Sequence, residues 1–294
     1  VCGHSSITIP KESKKKARKI MIADLKTILK LADERGCAIP AFNVYNMESV
    51  MGVMEAARET GSPVIFMMYS RLFDNPDAGF VAPMIHEAIR QLPTPAAFHL
   101  DHGAGIPEVM RALRLGASSV MIDASSLPLE QNIEITRRAV ELSAECGVPV
   151  EGELGHIGST RDEKMSEFTD VDEAKRFVRE TGVAALAIMV GTAHGRYKKA
   201  PVLDIPRIRA VREATGIPVV LHGGSGVPDD QVRMAVEAGV RKVNFGTDLC
   251  YSFLDSVCAV DRSIVALDLF MREPVKAVKA FAISKIRLLG ANTK

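Results

Sequence analysis

Three of the seven histidines in this 294-residue chain are followed directly by glycine: His102-Gly103, His194-Gly195 and His222-Gly223. Neutral imidazole is a preferred zinc ligand, and a catalytic zinc keeps three protein ligands and an open fourth position. His102, His194 and His222 are therefore candidate metal ligands if the fold carries them to one rim. Asp101 directly precedes His102, which sets a carboxylate able to move a proton beside the first ligand. The glycine after His102 is expected to let the backbone turn across that rim. The other histidines lack this pattern. His99 lies one alternation step behind Asp101 and reads as a supporting residue, His156 is a rim position with no assigned role, and His4 and His86 read as surface or core residues.

A second chemistry is written in HGGSG (222–226) and NFGT (244–247). Glycine-rich turns opening helices present backbone N–H groups that bind phosphate. Ser225 and Thr247 add hydroxyl donors, and Lys198 adds charge. Each glycine run taken alone is equally a tight turn. Metal and phosphate sites beside one carboxylate suggest a particular reaction class. Zinc polarises a ketone and stabilises an enediolate, and Asp101 can shuttle a proton at a neighbouring hydroxyl. Breaking a carbon–carbon bond next to a ketone needs both.

The elements that must position these groups follow from a recurring unit. The segments RETGSPV (58–64), AECGVPV (144–150) and ATGIPV (214–219) each read as a helix end, a glycine cap and a strand start, with looser copies around Gly116, Gly182 and Gly239. Glycine suits the left-handed cap, and proline at a strand's first position costs no ladder bond. Eight short apolar runs follow as strand candidates: 38–42, 64–68, 96–100, 119–122, 148–152, 184–188, 219–221 and 242–245. Helical periodicity lies between them at 48–59, 107–115, 131–144, 171–180, 205–214 and 229–238. Near-continuous apolar strands alternating with helices predict a parallel sheet covered on both faces. Eight units predict an α/β protein of the (β/α)8 TIM-barrel class. An open doubly wound sheet is the rival, but no G-x-G-x-x-G follows the first strand. In such a barrel the strands' C-terminal ends carry the chemistry. Those ends are Asn43, the 99–102 run, Asp123, Glu151-Gly152-Glu153, His222 and Asn244, with His194 after the sixth strand.

Hydrophobic residues make up 47% of the chain and charged residues 25%, with a formal net charge of +1. This fits an ordinary globular protein and points to neither nucleic acid nor an anionic membrane as partner. The five cysteines are scattered without a CxxC pair, so a reducing, cytoplasmic setting is expected. The basic run KESKKKARK (11–19) precedes no apolar h-region, so residues 1–20 are expected to be a solvated tail rather than a leader. Residues 21–294 are expected to form one barrel domain, including a helical C-terminal extension from about residue 250.

With these motifs assembled, the chain resembles the class II, zinc-dependent ketose-bisphosphate aldolases, a group that includes fructose- and tagatose-1,6-bisphosphate aldolases. The resemblance runs from about Leu25 to about Leu249. It rests on AFNV (41–44), HLDHG (99–103), SSVMIDAS (118–125), EGELG (151–155), GTAHGRYK (191–198), LHGGSG (221–226) and VNFGTDL (243–249). It implies one catalytic zinc per subunit on His102, His194 and His222, with Glu153 holding an alternate zinc position. Asp101 is implied as the acid/base at the C4 hydroxyl. Gly195, Gly223, Gly224, Ser225 and Thr247 are implied as the phosphate cradle for the dihydroxyacetone phosphate half, and Asn244 as an enediolate contact. Asn43 is a further candidate, and sodium or potassium a candidate second ion. Relatives form homodimers or homotetramers.

The pattern departs from the family in two places. Arg161 stands where a mobile-loop glutamate that moves the C3 proton is expected, leaving Asp162 and Glu163 as candidate substitutes. Tyr69 stands after the second strand where a small hydroxyl residue is usual, and Arg71 or Arg262 is a candidate for the distal phosphate. The resemblance implies cleavage of fructose 1,6-bisphosphate to dihydroxyacetone phosphate and glyceraldehyde 3-phosphate. Alternatives are tagatose 1,6-bisphosphate, another ketose 1-phosphate, or a non-catalytic sugar-phosphate-binding barrel.

Overall fold

A computed structural model describes residues 22–74, 76–160 and 167–292. The basic tail and the positions Arg161, Asp162 and Glu163 lie outside the described residues. Eight parallel strands close into a barrel in sequence order: β1 Ile39–Asn43, β2 Val64–Tyr69, β3 Ala96–Gly103, β4 Ser119–Ile122, β5 Val150–Leu154, β6 Ala185–Ile188, β7 Val219–Leu221 and β8 Val240–Phe245. β8 pairs with β1 and completes the ring. All eight predicted strands are present. β1 and β5 sit one and two residues later than predicted, and β3 runs on to Gly103. Each shift carries polar residues at the upper end into the ladder, a place that apolar content alone cannot detect.

The predicted helices are α2 Met47–Thr60, α4 Ile106–Arg114, α5 Leu129–Ala144, α6 Val171–Thr181, α7 Ile205–Thr215 and α8 Asp229–Ala238. The repeated glycines are their left-handed caps, as at Gly61 (φ 63°) and Gly216 (φ 70°). The structure adds α1 Leu25–Arg35 and α3 Asp77–Gln91. The first of these closes the barrel floor: Leu25, Ile28, Leu29 and Ala32 bury against Ile39, Ala41, Ile65, Met67, Ala97, Ala185, Ala187 and Val220. The C-terminal extension starts slightly before its predicted point, with α9 Thr247–Ala259, α10 Leu267–Phe270 and α11 Arg272–Leu288. α11 packs tightly on α2, where a Cβ on Gly52 would stand 2.6 Å from Val278 Cγ1.

The two faces of each strand divide the labour. Outward residues such as Phe42, Phe66, Phe98, Ile122 and Phe245 join the core beneath the helices. Inward residues are apolar near the floor and polar above it, including His99, Asp101, Ser119, Glu151, Glu153, Lys242 and Asn244, all buried. Such groups are tolerated in a barrel interior only when they find partners. Among the described residues no helix is long and apolar enough to cross a membrane.

Candidate active site

β3 delivers two neighbours to one side of the sheet. Alternation sends Asp101 inward with Ala97 and His99, so His102 should face the helices. Instead His102 takes a left-handed conformation, φ 51°, the one non-glycine residue among the described residues with positive φ. The β3–β4 register shifts between Leu100 and Gly103. A non-glycine residue held in this region costs about 1–3 kcal/mol and marks a constrained site. The turn expected at Gly103 thus resides in His102. Gly103 serves a different need: a Cβ there would lie 2.5 Å from the Met121 carbonyl oxygen on β4.

His102, His194 and His222 converge. His102 lies 4.7 Å from each of the other two rings, centroid to centroid, and His222 Nδ1 stands 2.9 Å from His102 Nε2. One nitrogen from each imidazole lies within 4.8 Å of the others. The far sides of His102 and His222 are tied down. His102 Nδ1 hydrogen-bonds to Asp123 Oδ2 at 2.8 Å, and His222 Nε2 donates to Glu151 Oε1 at 2.8 Å. A carboxylate behind each ligating imidazole is the usual outer support of a zinc site. His194 Nε2 and Glu153 Oε2 are buried with no hydrogen-bond partner. Glu153 Oε2 also lies 3.8 Å from His222 Nδ1 and 3.9 Å from His102 Nδ1. His194 and Glu153 thus each bring an unsatisfied buried atom to a group of side chains able to hold a divalent cation. His102, Asp123 and Glu153 form a second overlapping set.

The charge balance agrees. Burial lowers the pKa of His102, but Asp101, Asp123 and Glu153 outweigh it and push it up to about 9. Burial together with the charge on His102 brings His194 down to about 4, and His222 falls well below the ordinary range for the same reasons. Both stay neutral, as ligands must. Burial, then Asp123, lifts Glu153 to about 8. Burial also works against ionised Asp123, yet hydrogen bonds from His102 and Ser125 carry it below the usual carboxylate range. Near neutrality the cluster therefore keeps protons on His102 and Glu153 beside ionised Asp123, protons that a bound cation would displace.

Asp101, 3% exposed, is held from both sides: Asn43 Nδ2 donates to Oδ2 at 2.8 Å and Asn244 Nδ2 to Oδ1 at 3.1 Å. Its carboxylate lines a cleft of about 990 Å³. The same cleft is bordered by Gly195, Lys198, Gly223, Ser225 and Thr247. Ser225 Oγ accepts from the Asp248 N–H at 3.1 Å, which leaves its own proton free to donate. Gly224 is placed differently from its expected role: its N–H is spent on the Asn244 carbonyl at 3.2 Å, and a Cβ there would meet Val243 Cγ1 at 2.6 Å. It permits β7 and β8 to approach and does not face the cleft. At the mouth, Arg71 lies over the rings of Tyr45 (5.5 Å) and Tyr69 (5.0 Å). Arg262 is exposed on the segment after α9 and is absent from the cleft lining.

Several site residues carry no role in the sequence reading. Asp123 was visible there only as a strand end, yet it supports His102. Ser125 hydrogen-bonds to Asp123 Oδ1 at 2.7 Å and to Glu153 Oε1 at 2.9 Å, with His156 Nδ1 3.1 Å away. Glu151 and Lys242 lie deeper in the barrel. The signal for Lys242 was its period-two spacing with Asn244 on β8. His99 is the supporting residue predicted, fully buried with Nδ1 2.8 Å from Ser119 Oγ. His86 contacts the Leu115 carbonyl oxygen at 2.8 Å and packs edge-on against Phe98.

The family model for class-II fructose-bisphosphate aldolase matches residues 23–294. YdjI, an uncharacterized protein of Escherichia coli strain K12, is 36% identical over 279 residues, covering 93% of this chain and 99% of its own length. The crystal structure of the YdjI aldolase aligns with a TM-score of 0.84 at 34% identity, over 92% of this chain and 98% of that one. A putative fructose-1,6-bisphosphate aldolase from Coccidioides immitis also aligns with a TM-score of 0.84, at 26% identity over 90% and 95% of the two chains. The fructose-bisphosphate aldolase of Campylobacter jejuni shares the fold, with a TM-score of 0.80 at 22% identity over 93% and 97%.

Proposed function

Because this chain belongs to the class-II fructose-bisphosphate aldolase family, we propose that it is a zinc-dependent lyase that reversibly cleaves a phosphorylated ketose to dihydroxyacetone phosphate and an aldehyde, with fructose 1,6-bisphosphate as substrate. The observation that carries this reading is the convergence of three imidazole nitrogens, two of them backed by carboxylates, beside an amide-clamped Asp101. His102, His194 and His222 would hold the zinc, and Glu153 offers an alternate position. The ion supplies Lewis acidity to the ketone oxygen and charge stabilisation as that oxygen becomes anionic.

The chain's own residues do the rest. The ketose 1-phosphate group sits among Gly195, Lys198, Gly223, Ser225 and Thr247, which fixes C2 and C3 in register with the histidines. Asp101 takes the proton from the C4 hydroxyl. The C3–C4 bond breaks, C4 leaves as the aldehyde, and the bonding pair moves into the C2 carbonyl to form an enediolate. A proton delivered to C3 then gives dihydroxyacetone phosphate. Asn43 and Asn244 hold Asp101 at both oxygens so that it meets the C4 hydroxyl in one orientation.

The aldehyde half is set by the mouth. Arg71 on its two tyrosine faces suits a second phosphate, which favours a bisphosphate. Tyr69 narrows the same region and supports a second reading with tagatose 1,6-bisphosphate or a ketose 1-phosphate as substrate. Turnover of fructose 1,6-bisphosphate, tagatose 1,6-bisphosphate and ketose 1-phosphates by one preparation, with and without chelator, tests both. Release of dihydroxyacetone phosphate from none of them, with no exchange of its C3 proton, would replace the enzyme reading with the non-catalytic one.

A further inference from the structure

Beneath the histidine cluster lies a layer of charge that the reaction never touches. Lys242 on β8 is fully buried inside the barrel. Its Nζ lies 2.9 Å from Glu151 Oε2 and 3.1 Å from Oε1. Glu151, equally buried, accepts the His222 Nε2–H on Oε1 at 2.8 Å. A buried ion pair is a weak source of stability, and apolar side chains of similar volume often do as well or better. The layer just below is in fact built from alanine, valine, isoleucine and methionine. The pair therefore needs a reason other than stability.

We propose that Lys242 is a positioning residue for the metal site: through Glu151 it fixes the tautomer and orientation of His222, leaving Nδ1 as the nitrogen that faces His102 and Glu153. This rests on the metal reading of the three histidines. Which ring nitrogen of a histidine binds metal is set by the hydrogen bond made at the other. Glu151 has two candidate partners. His222 is one, and the other is His99, whose Nε2 lies 3.8 Å from Glu151 Oε2 and has no hydrogen-bond partner. The ammonium hydrogen-bonds to Oε1, the oxygen that also accepts from His222, and lies 2.9 Å from Oε2, so it holds the carboxylate ionised and in place as that acceptor. Asn244 Nδ2 also comes within 3.2 Å of His222 Nε2, but the nearer Glu151 carboxylate oxygen can only accept, so Nε2 carries the proton and Glu151 selects the tautomer.

The test uses zinc itself and cobalt(II) on full-length protein. Lys242→Met removes the anchor. Two paired variants remove both charges of the buried pair: Glu151→Gln with Lys242→Met keeps an acceptor for His222, and Glu151→Leu with Lys242→Met does not. Zinc affinity is measured by competition with a chromophoric chelator, the cobalt(II) visible spectrum reports coordination, and circular dichroism verifies folding. Loss of an outer-shell partner typically weakens metal binding 10–100-fold. That loss is expected for Lys242→Met and for the Leu/Met pair, with an altered cobalt spectrum, while the Gln/Met pair stays within about tenfold of wild type. If Lys242→Met does not fold, the two pairs carry the comparison. Wild-type zinc affinity and an unchanged cobalt spectrum in folded Lys242→Met, or equal affinities and identical spectra for the folded pairs, would overturn the proposal while leaving the metal reading intact. A wild-type protein that binds no zinc would overturn both.

Discussion

Replacing Asp101 separates the chemistry of the site from its architecture. The carboxylate accepts from Asn43 and Asn244 and borders the open cleft, so Asp101→Ala leaves two amide donors that water can reach. Leaving a buried donor unpaired costs about 1–3 kcal/mol, and access from the cleft puts this case at the low end, about 1 kcal/mol. For a chain of this size that lowers Tm by about 2–4 °C. Asp101→Asn, usually the gentler change, is expected to cost more. Its NH2 group must face one of two NH2 groups that now donate to oxygen. The catalytic loss is larger in either variant. A positioned general base contributes about 10²–10⁴-fold, or about 2.7–5.4 kcal/mol of barrier. Cleavage is followed by coupling dihydroxyacetone phosphate release to NADH oxidation, and zinc content by mass spectrometry. Deuterium exchange at C3 of dihydroxyacetone phosphate, read by NMR, isolates the enediolate half of the reaction. Asp101→Ala should keep its zinc and its C3 exchange while losing cleavage. Wild-type cleavage in that variant, or exchange that falls in step with cleavage, would refute the assignment.

Other expectations concern the metal's support and the barrel rim. Asp123→Asn removes the charge behind His102 and should weaken zinc binding 10–100-fold in a chelator competition; unchanged affinity would take Asp123 out of the site. His102, raised to about 9, carries its proton near neutrality, whereas a ligand must present a lone pair. Zinc uptake at pH 7.5 should therefore release about one proton from this group, and affinity should fall as pH drops below 9. Titration calorimetry in buffers of different ionisation enthalpy reads that proton, and a buffer-independent heat would contradict it. Gly103→Ala drives a Cβ toward the Met121 backbone and should destabilise the fold by about 1–3 kcal/mol, seen as a lower midpoint in urea.

The barrel was legible because its signals are local. A glycine cap, a strand-opening proline and an apolar run recur with each unit, and the closed eight-stranded ring follows. The histidine-glycine pairs marked the three imidazoles that converge for a similar reason, since each stands at or beyond a strand's upper end. Interior partners were less visible. Glu151, Lys242 and Asp123 owe their roles to strands that are neighbours only once the ring closes, and no spacing along the chain reveals that Lys242 lies against Glu151. The left-handed backbone of His102 was hidden for another reason. Left-handed geometry is ordinarily signalled by glycine, and here the glycine one position later carries a packing constraint instead. α1 was missed because its buried face meets the barrel floor, a surface formed by five different strands.

The central claim is that three histidines hold a zinc on which carbon–carbon cleavage depends. The most direct measurement is dihydroxyacetone phosphate release from fructose 1,6-bisphosphate and the other candidate ketoses after exhaustive chelation, then with stoichiometric zinc restored, for wild type and His222→Ala. Chelation is expected to abolish release and zinc to restore it in wild type, while His222→Ala is not restored. Release that survives chelation, or that zinc restores equally in both proteins, would contradict it.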